Sequence, residues 1–469
     1  MKNHSEIKDF TEGDLTSHLV KFAIPVLLSH LMMVLLNTVD MIVVGQRLGE
    51  AGTSAVSIGG SVAMFLNAFI GGFAAAAQVI IAMMVGAKER QRISRFVSTV
   101  CGFIFVAAIA SMCIMIPLAP TMLNLLNTPP EAYEGAYEYS LICLIGIIPI
   151  YAYHIISAIV RGMGDSKHPL IFITIACGLN IFLDVVFVLW LDMGVGGAAV
   201  ATVIAQLVSV IFSVAMIIKK RRDFELTVKM RDFVLWNKKD LGRYVKLAIP
   251  MAINNSAIQI AGMVIGAMVN KYGVSVSAFA GIRANIATTV DLVLGSVAAA
   301  GAMVIGQNIA AGKNKRVSGV LLRVGAITLV AALILVAAFL IFPMQLFGIF
   351  TDDTGVLDIV KPHLPILMLS FAFAGIRPIT RSLIDGSGNK RINLVTALLD
   401  AVVARIGLAL LFGVLLEGGY MGLWLGTTLA ELVPIAIGTV FYLSGCWKRQ
   451  EEIPCSDTEK ICGEAYEKD

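Results

Sequence analysis

The sequence predicts an all-α polytopic membrane protein whose twelve transmembrane helices form two six-helix bundles. Of the 469 residues, 58% are hydrophobic and 14% are charged, and the mean hydropathy is +0.84. A water-soluble core of this length cannot bury that much apolar surface. Apolar runs of about 20 residues, enough for a helix to cross the hydrocarbon layer, recur along nearly the whole chain. An internal repeat, described below, divides these runs into two equal sets.

The apolar runs give the expected helices in chain order. In the first half they cover residues 19–45, 54–86, 97–119, 138–160, 169–191 and 195–218. In the second half they cover residues 244–270, 278–311, 319–341, 362–382, 392–416 and 420–444. We therefore predict an N-terminal bundle (1–218), a linker (219–243), a C-terminal bundle (244–445) and a tail (446–469). Residues 1–17 are polar and lack the basic start of a signal peptide, so the first helix is expected to be permanent.

Charges in the loops predict the orientation. The loops after even-numbered helices are basic and include Lys88, Arg90, Arg92, Arg95, Arg161, Lys167, Lys219, Lys220, Arg221, Arg222, Lys313, Lys315 and Arg316. The loops after odd-numbered helices carry mainly acids. Basic loops stay in the cytoplasm, so both termini are expected there. The net charge of +4 therefore comes from basic residues whose distribution reflects the membrane topology, and no nucleic-acid partner is expected.

A repeat relates the two halves. Leu19–Pro25 (LVKFAIP) resembles Tyr244–Pro250 (YVKLAIP), and further small residues match at the same constant offset along the chain. Six helices return the chain to its starting side, so the halves share orientation about an axis along the membrane normal. Transporters use such parallel repeats for alternating access, although any duplicated bundle would show the same pattern. Pro25 and Pro250 mark either a kink or a first-turn irregularity.

Two acids lie inside predicted helices of the first half without a basic residue at their depth. Asp40 and Asp184 belong to the first and fifth helices, which run in the same direction, and lie at similar depth. Asn180 shares the helix face of Asp184, and Thr202 lies at matching depth in the sixth helix. These oxygens suit a hard monovalent cation such as Na⁺, or a shared proton. Alternatively, each acid only bonds a neighbouring helix.

The acids inside the predicted helices of the second half, unlike those of the first, have possible basic partners. Asp291, Asp400 and Glu431 have basic residues at similar depth, and structural ion pairs are the favoured interpretation. We expect Arg405 to pair with Asp291 or Glu431, and Arg377 with Asp400. The repeat matches Asp40 to Ile265, and Asp184 to Leu408 or Ala409, because the register drifts. None of these is acidic, so ion coupling is expected in the first half alone.

These segments resemble the multidrug and toxic compound extrusion (MATE) transporters over essentially the whole membrane domain. The similar segments are residues 22–25 leading to Asp40 and Gly45, 161–167 (RGMGDSK), 180–184 (NIFLD), and 193–202 (MGVGGAAVAT) through Gln206. The resemblance implies two lobes that export organic, often cationic, compounds in exchange for H⁺ or Na⁺. It also implies that Asp40, Asn180, Asp184 and Thr202 form the cation site, and that no other cofactor is needed.

The resemblance further implies a bacterial inner-membrane protein that functions as a monomer and binds small organic molecules. One departure stands out. Some branches carry coupling acids in the seventh and tenth helices, but here the seventh offers Asn254, Asn255 and Gln259, and the tenth offers Arg377. This favours the branch that couples in the N-terminal half. The substrate-binding residues are not identifiable, because adaptable apolar cavities resemble core.

Three other functions are weighed against export. A lipid-linked saccharide flippase of the same superfamily would favour an arginine-lined cavity, whereas the unpaired charges here are acidic. A membrane-embedded enzyme would need a nucleophile with a base, or a metal cluster. His30 and His154 are the only histidines well inside the predicted helices and have no carboxylate at close spacing, and the scattered cysteines form no metal motif. An ion channel would show filter-like segments.

Overall fold

The computed structural model describes residues 7–126, 128–226, 233 and 236–448, and this part of the chain contains twelve long helices. They are α1 (Leu15–Gly49), α2 (Ala51–Gly86), α3 (Arg90–Leu125), α4 (Pro130–Ile145 and Ile147–Gly162), α5 (Lys167–Trp190), α6 (Gly194–Lys219), α7 (Lys238–Tyr272), α8 (Val274–Ala310), α9 (Asn314–Ile341), α10 (Val360–Gly386), α11 (Lys390–Leu415) and α12 (Gly419–Leu443). Eleven are long and apolar enough to cross a membrane singly, and the two pieces of α4, bent by 54°, form the twelfth. The predicted all-α fold with twelve transmembrane helices is confirmed.

Two parts of the predicted domain plan lie partly outside the described residues. These are the linker at 227–232, 234 and 235, and the tail from residue 449 onward. The described flanks of the linker pack against the first half, because Phe224 and Leu226 belong to its apolar core. We name α1–α6 the N-lobe and α7–α12 the C-lobe.

Local sequence sets the ends of the helices. The Asp14 carboxylate accepts a hydrogen bond from the Ser17 amide (2.7 Å) and caps α1, as a helix N-terminus requires. Gly49 adopts a positive φ of 65° and separates α1 from α2, a conformation that favours glycine. Pro25 and Pro250 lie inside α1 and α7, well beyond the first turn. The interpretation of these prolines as first-turn irregularities is therefore wrong.

The repeat is visible in the turns. Asp192 and Glu417, which correspond at the same offset as Pro25 and Pro250, have φ values of 53° and 54°, and the corresponding Gly194 and Gly419 have values of 63° and 58°. One loop earlier, the positive-φ glycines at 164 and 388 fall a single position short of this offset. Between these turns, α11 contains the π-helical segment Ala397–Ala404. Since a π-helical turn accommodates an extra residue, it accounts for the register drift.

The lobes touch at the side of the membrane where the basic loops lie, here called the basic-loop side. A Cβ atom on Gly72 of α2 would lie 2.3 Å from the Ala252 Cα, and one on Gly86 would lie 2.1 Å from the Gln307 carbonyl oxygen. The Tyr244 hydroxyl donates to the Phe73 carbonyl oxygen (3.1 Å). Only glycine allows the α2 backbone to approach the C-lobe this closely.

The opposite halves of the central helices keep polar side chains exposed. Ser57 of α2, and Asn285 and Thr288 of α8, are exposed although they lie within membrane-spanning helices. Polar groups at such positions face water or protein in preference to hydrocarbon. We infer from these side chains that a cleft lies between the lobes and opens away from the basic-loop side.

An N-terminal strap, residues 7–14, joins the two lobes at the basic-loop side. The Lys8 amide donates to the Met163 carbonyl oxygen of the N-lobe (3.0 Å). The Gln307 side chain of the C-lobe accepts from the Phe10 amide (2.7 Å) and donates to the Lys8 carbonyl oxygen (3.0 Å). Asn308 donates to the Phe10 carbonyl oxygen (3.2 Å). The strap thus binds the α4–α5 loop and the end of α8 at once.

We expect Gly72→Ala to lower the melting temperature, because the added methyl group meets Ala252 backbone atoms that cannot rotate away. Overpacking of this kind typically costs about 1–3 kcal/mol. Gly60→Ala is a matched control in the same helix, since a Cβ there would have no neighbour within 4 Å. Thermal unfolding of the purified variants in detergent measures the difference. Equal melting temperatures would contradict the close contact between the lobes.

Candidate cation-coupling site

The N-lobe holds a buried polar cluster built by four helices. Asp40 of α1 accepts a hydrogen bond at Oδ2 from the Thr202 hydroxyl of α6 (2.9 Å). The same oxygen accepts from the Tyr139 hydroxyl of α4 (3.0 Å). The Asn180 amide nitrogen of α5 donates to Thr202 Oγ1 (3.1 Å). Asp40, Asn180 and Asp184 are fully buried. The structure therefore brings the four predicted residues together, and their role as a coupling site stays a prediction.

The cluster contains oxygens that nothing satisfies. Asp40 Oδ1, Asn180 Oδ1 and both carboxylate oxygens of Asp184 are buried without a hydrogen-bond donor in the described part of the chain. The Asp184 carboxyl lies beside the Asp40 carboxyl, and neither group can donate a hydrogen bond when both are ionised. Two buried carboxylates side by side are unfavourable unless a positive charge joins them. The donor set thus fits either one Na⁺ ion or a proton held between the acids.

Tyr139 is a member of this cluster that the sequence did not reveal. The predicted fourth helix begins at residue 138, which places Tyr139 at its end, whereas the structure extends the first piece of α4 from Pro130 to Ile145. The longer helix carries Tyr139 to the depth of Asp40. A phenol in an apolar run resembles ordinary core, so only its contacts distinguish it.

Among the described residues, no group of three or more His, Cys, Asp and Glu side chains could hold a metal ion.

The C-lobe acids form ion pairs, but the predicted partners are wrong. Arg377 of α10 binds Asp291 of α8, and its Nη1 lies 3.7 Å from Glu431 Oε1 of α12. Arg405 Nε donates to Asp400 Oδ1 (3.2 Å), and both residues belong to α11. Arg405 and Arg377 have thus exchanged the partners expected for them.

Three further residues of the C-lobe depart from expectation. The tenth helix extends to Gly386 and contains an acid, Asp385, which pairs with Arg381 (3.2 Å). Arg283 of α8 lies over the Trp424 ring, 5.8 Å from its centroid. His363 of α10 is fully buried among aromatic rings and was missed because the predicted helix began beside it.

The segment 161–167 forms the tight turn between α4 and α5. Gly164 has a positive φ of 92° and packs against Lys8 of the strap. Asp165 accepts from the Lys167 amide (2.9 Å) and contacts the His168 ring. Burial opposes ionisation of Asp165, but the hydrogen bonds from His168 and the Lys167 amide hold the pKa of its carboxyl below the ordinary value. This part of the motif therefore fixes the loop that the strap binds.

Two six-helix lobes around a cleft define the class of protein, a two-lobe membrane transporter. The same fold occurs in a crystal structure of MATE in the bent conformation, which is 22% identical in sequence. Its TM-score is 0.85, and the match covers 95% of this chain and 97% of that one.

The MatE family model matches residues 25–186 and again residues 250–411, so both ends of the two matches are related by the offset of the internal repeat. The chain belongs to this family, the multidrug and toxic compound extrusion transporters, and is not an enzyme. It is 26% identical to the probable multidrug resistance protein YpnP of Bacillus subtilis strain 168, over 94% of this chain and 97% of the relative. It is 22% identical to the multidrug export protein MepA of Staphylococcus aureus strain MRSA252, over 84% and 86%.

Proposed function

We propose that this transporter exports small organic compounds, chiefly cations, from the bacterial cytoplasm in exchange for H⁺ or Na⁺. The observation that carries the proposal is the cluster of unsatisfied carboxylate and amide oxygens in the N-lobe, which is suited to a monovalent cation. The names of the relatives, multidrug resistance and multidrug export proteins, support organic compounds as substrates. No cofactor beyond the coupling ion is required, and one chain contains both lobes, which favours a functional monomer.

In this proposal the coupling cation and the substrate bind in turn. A cation bound between Asp40 and Asp184 neutralises one negative charge inside the N-lobe, and Tyr139 and Thr202 keep Asp40 oriented. Loss of the cation leaves two adjacent buried carboxylates, which changes the free energy of the lobe by several kcal/mol. Rocking of the lobes would then open the cleft to the other side of the membrane, as in other transporters with parallel repeats.

The test is transport by purified protein in liposomes. Ethidium movement should depend on an imposed gradient of either H⁺ or Na⁺, and dissipation of that gradient with an ionophore should stop it. Comparing the two gradients identifies the coupling ion. Ethidium movement that ignores both gradients would contradict exchange with either ion.

The basic loops support an inner-membrane orientation with both termini in the cytoplasm. A cysteine at Thr354, exposed in the α9–α10 connection, should therefore react with an impermeant reagent added to intact cells. A cysteine at Lys315, exposed at the start of α9, should react only after permeabilisation. Both changes are made in a background without other reactive cysteines. The opposite pattern would reverse the topology and the direction in which the cleft opens.

The lipid-linked saccharide flippase is less well supported. An anionic lipid would need several free arginines in the cleft. Arg377, Arg381 and Arg405 each contact a carboxylate, whereas Arg283 lies over the Trp424 ring. The buried cluster of the N-lobe is acidic and would repel such a lipid.

A further inference from the structure

The C-lobe contains a charged triad formed by Asp291 of α8, Arg377 of α10 and Glu431 of α12. Arg377 lies between the two carboxylates, bound to Asp291 through one Nη atom and 3.7 Å from Glu431 through the other. The side chains of Arg377 and Glu431 are 16% and 15% exposed, whereas that of Asp291 is 52% exposed. The triad therefore presents one carboxylate outward from an otherwise shielded group of charges.

The exposure of Asp291 indicates where it points. Asp291 lies near the middle of α8, a membrane-spanning helix of 37 residues. A carboxylate exposed to hydrocarbon at this depth would cost at least about 2.5–3.5 kcal/mol, so such groups face a polar cavity. The neighbouring exposed side chains of α8, Asn285 and Thr288, are also polar. The exposed side of Asp291 thus belongs to the cleft.

The triad also has unused capacity. Its two carboxylates and one guanidinium carry a net charge of −1, and Arg283 of α8, over the Trp424 ring, adds a positive charge near Glu431. Glu431 Oε2 is buried without a hydrogen-bond partner among the described residues. A guanidinium offers several donors in a planar fork, so Arg377 can satisfy Glu431 more fully if Asp291 is bound by something else. The adjacent pair of Arg405 and Asp400 is balanced and needs no further charge.

The repeat relates one residue beside the triad to the N-lobe site. At the offset that relates the α5–α6 turn to the α11–α12 turn, Glu431 matches Gln206 and Arg405 matches Asn180. Both Gln206 and Glu431 carry a buried oxygen without a hydrogen-bond partner among the described residues. Of the matched N-lobe residues, only Asn180 belongs to the candidate cation-coupling site, and its counterpart Arg405 is paired with Asp400 beside the triad.

We propose that Asp291 is a recognition site for the cationic group of the substrate. An ammonium or amidinium group entering the cleft binds the Asp291 carboxylate and replaces Arg377, which moves fully onto Glu431. The net charge of the occupied triad is then zero, so binding needs no uptake or release of a proton. Glu431 is a positioning residue, because it receives Arg377 without touching the substrate. This inference rests on the proposed export of organic cations.

The test compares a cation with an uncharged molecule of similar shape. Ethidium and phenanthridine, the neutral parent ring at pH 7.5, are titrated against purified protein in detergent. Asp291→Asn should weaken ethidium binding about tenfold, the effect of losing a partly exposed charge pair, and leave phenanthridine binding within about twofold. Asp352→Asn, an exposed loop acid of the same lobe, is the matched control and should change neither.

Glu431→Gln gives a second and independent variant. Arg377 then keeps only Asp291, so the cation must displace it without compensation, and ethidium binding should weaken while phenanthridine binding does not. A merely structural role would weaken both ligands together. Unchanged ethidium affinity in both variants, or equal loss of the two ligands, would overturn the site. Wild-type protein that binds neither ligand would overturn the proposed function as well.

Discussion

Asp40→Asn and Asp184→Asn are each expected to abolish gradient-driven export, by at least about 100-fold per inserted molecule, while the protein yield stays near normal. Asparagine keeps the size of the side chain and can still accept the hydrogen bonds from Tyr139 and Thr202. It removes the charge that binds the coupling cation in the proposed exchange. Export of ethidium from liposomes under the productive gradient, normalised to reconstituted protein, measures the effect.

The stability of Asp184→Asn should not fall with its export activity. Both oxygens of Asp184 are buried without a donor among the described residues, so replacement by asparagine relieves repulsion with Asp40 and supplies a donor. The melting temperature of Asp184→Asn should therefore equal or exceed that of the wild type, because residues of functional sites often lower the stability of the folded protein. Glu131→Gln, an exposed acid in the first turn of α4, should change neither export nor stability. Full gradient-driven export by either aspartate variant would contradict the hypothesis that these acids bind the coupling cation.

Asp400→Leu should have the largest effect on folding. It leaves the Arg405 guanidinium in the C-lobe without its hydrogen-bonded partner, since the pair is 5% and 15% exposed. Breaking a buried pair from one side typically costs about 3–5 kcal/mol. The expected result is a sharp fall in the amount of inserted protein and in the melting temperature.

The control for this prediction removes both charges. Asp400→Leu combined with Arg405→Met should recover most of the lost stability, because well-packed apolar residues often replace a buried ion pair at little cost. A double variant as unstable as the single one would show that packing around α11, and not the stranded charge, limits folding. Quantifying inserted protein and thermal unfolding together separates the two causes.

The depth of each site residue in the membrane could be predicted from the sequence. A constant rise of about 1.5 Å per residue fixes depth once helix ends and directions are known. This was enough to group Asp40, Asn180, Asp184 and Thr202, because the π-helical segment Val185–Trp190 of α5 begins only after Asp184. Tyr139 escaped the same argument, since the start of α4 could not be read from an apolar run.

The direction in which a side chain points around its helix axis could not be predicted in the same way. Each residue turns a helix by about 100°, so one additional residue redirects every side chain after it. Asp400 and Arg405 lie in and just after the π-helical segment of α11, which contains such an addition. Depth therefore grouped the charges of the C-lobe correctly but exchanged their partners. At the 54° bend of α4, Gly146 lies against Val203 of α6, a contact that the apolar pattern of either helix does not predict.

The positions that match Asp40 and Asp184 differ in chemistry from the candidate cation-coupling site. Ile265 and Ala409 are both buried in one apolar cluster of the C-lobe. A carboxylate at either position would lose its solvation in this cluster. The two halves thus share a backbone plan but fill its interior with opposite chemistry.

The N-terminal strap lies where any separation of the two lobes at the basic-loop side must change its hydrogen bonds. Its bonds to Met163, Gln307 and Asn308 exist only while the α4–α5 loop and the end of α8 stay together. Any state that separates these two elements must break either the Lys8 bond to Met163 or the strap's bonds to Gln307 and Asn308. We therefore expect either the Lys8 amide or the Phe10 amide to lose protection from hydrogen–deuterium exchange when the basic-loop side opens, and the amide that loses it identifies the lobe that the strap leaves.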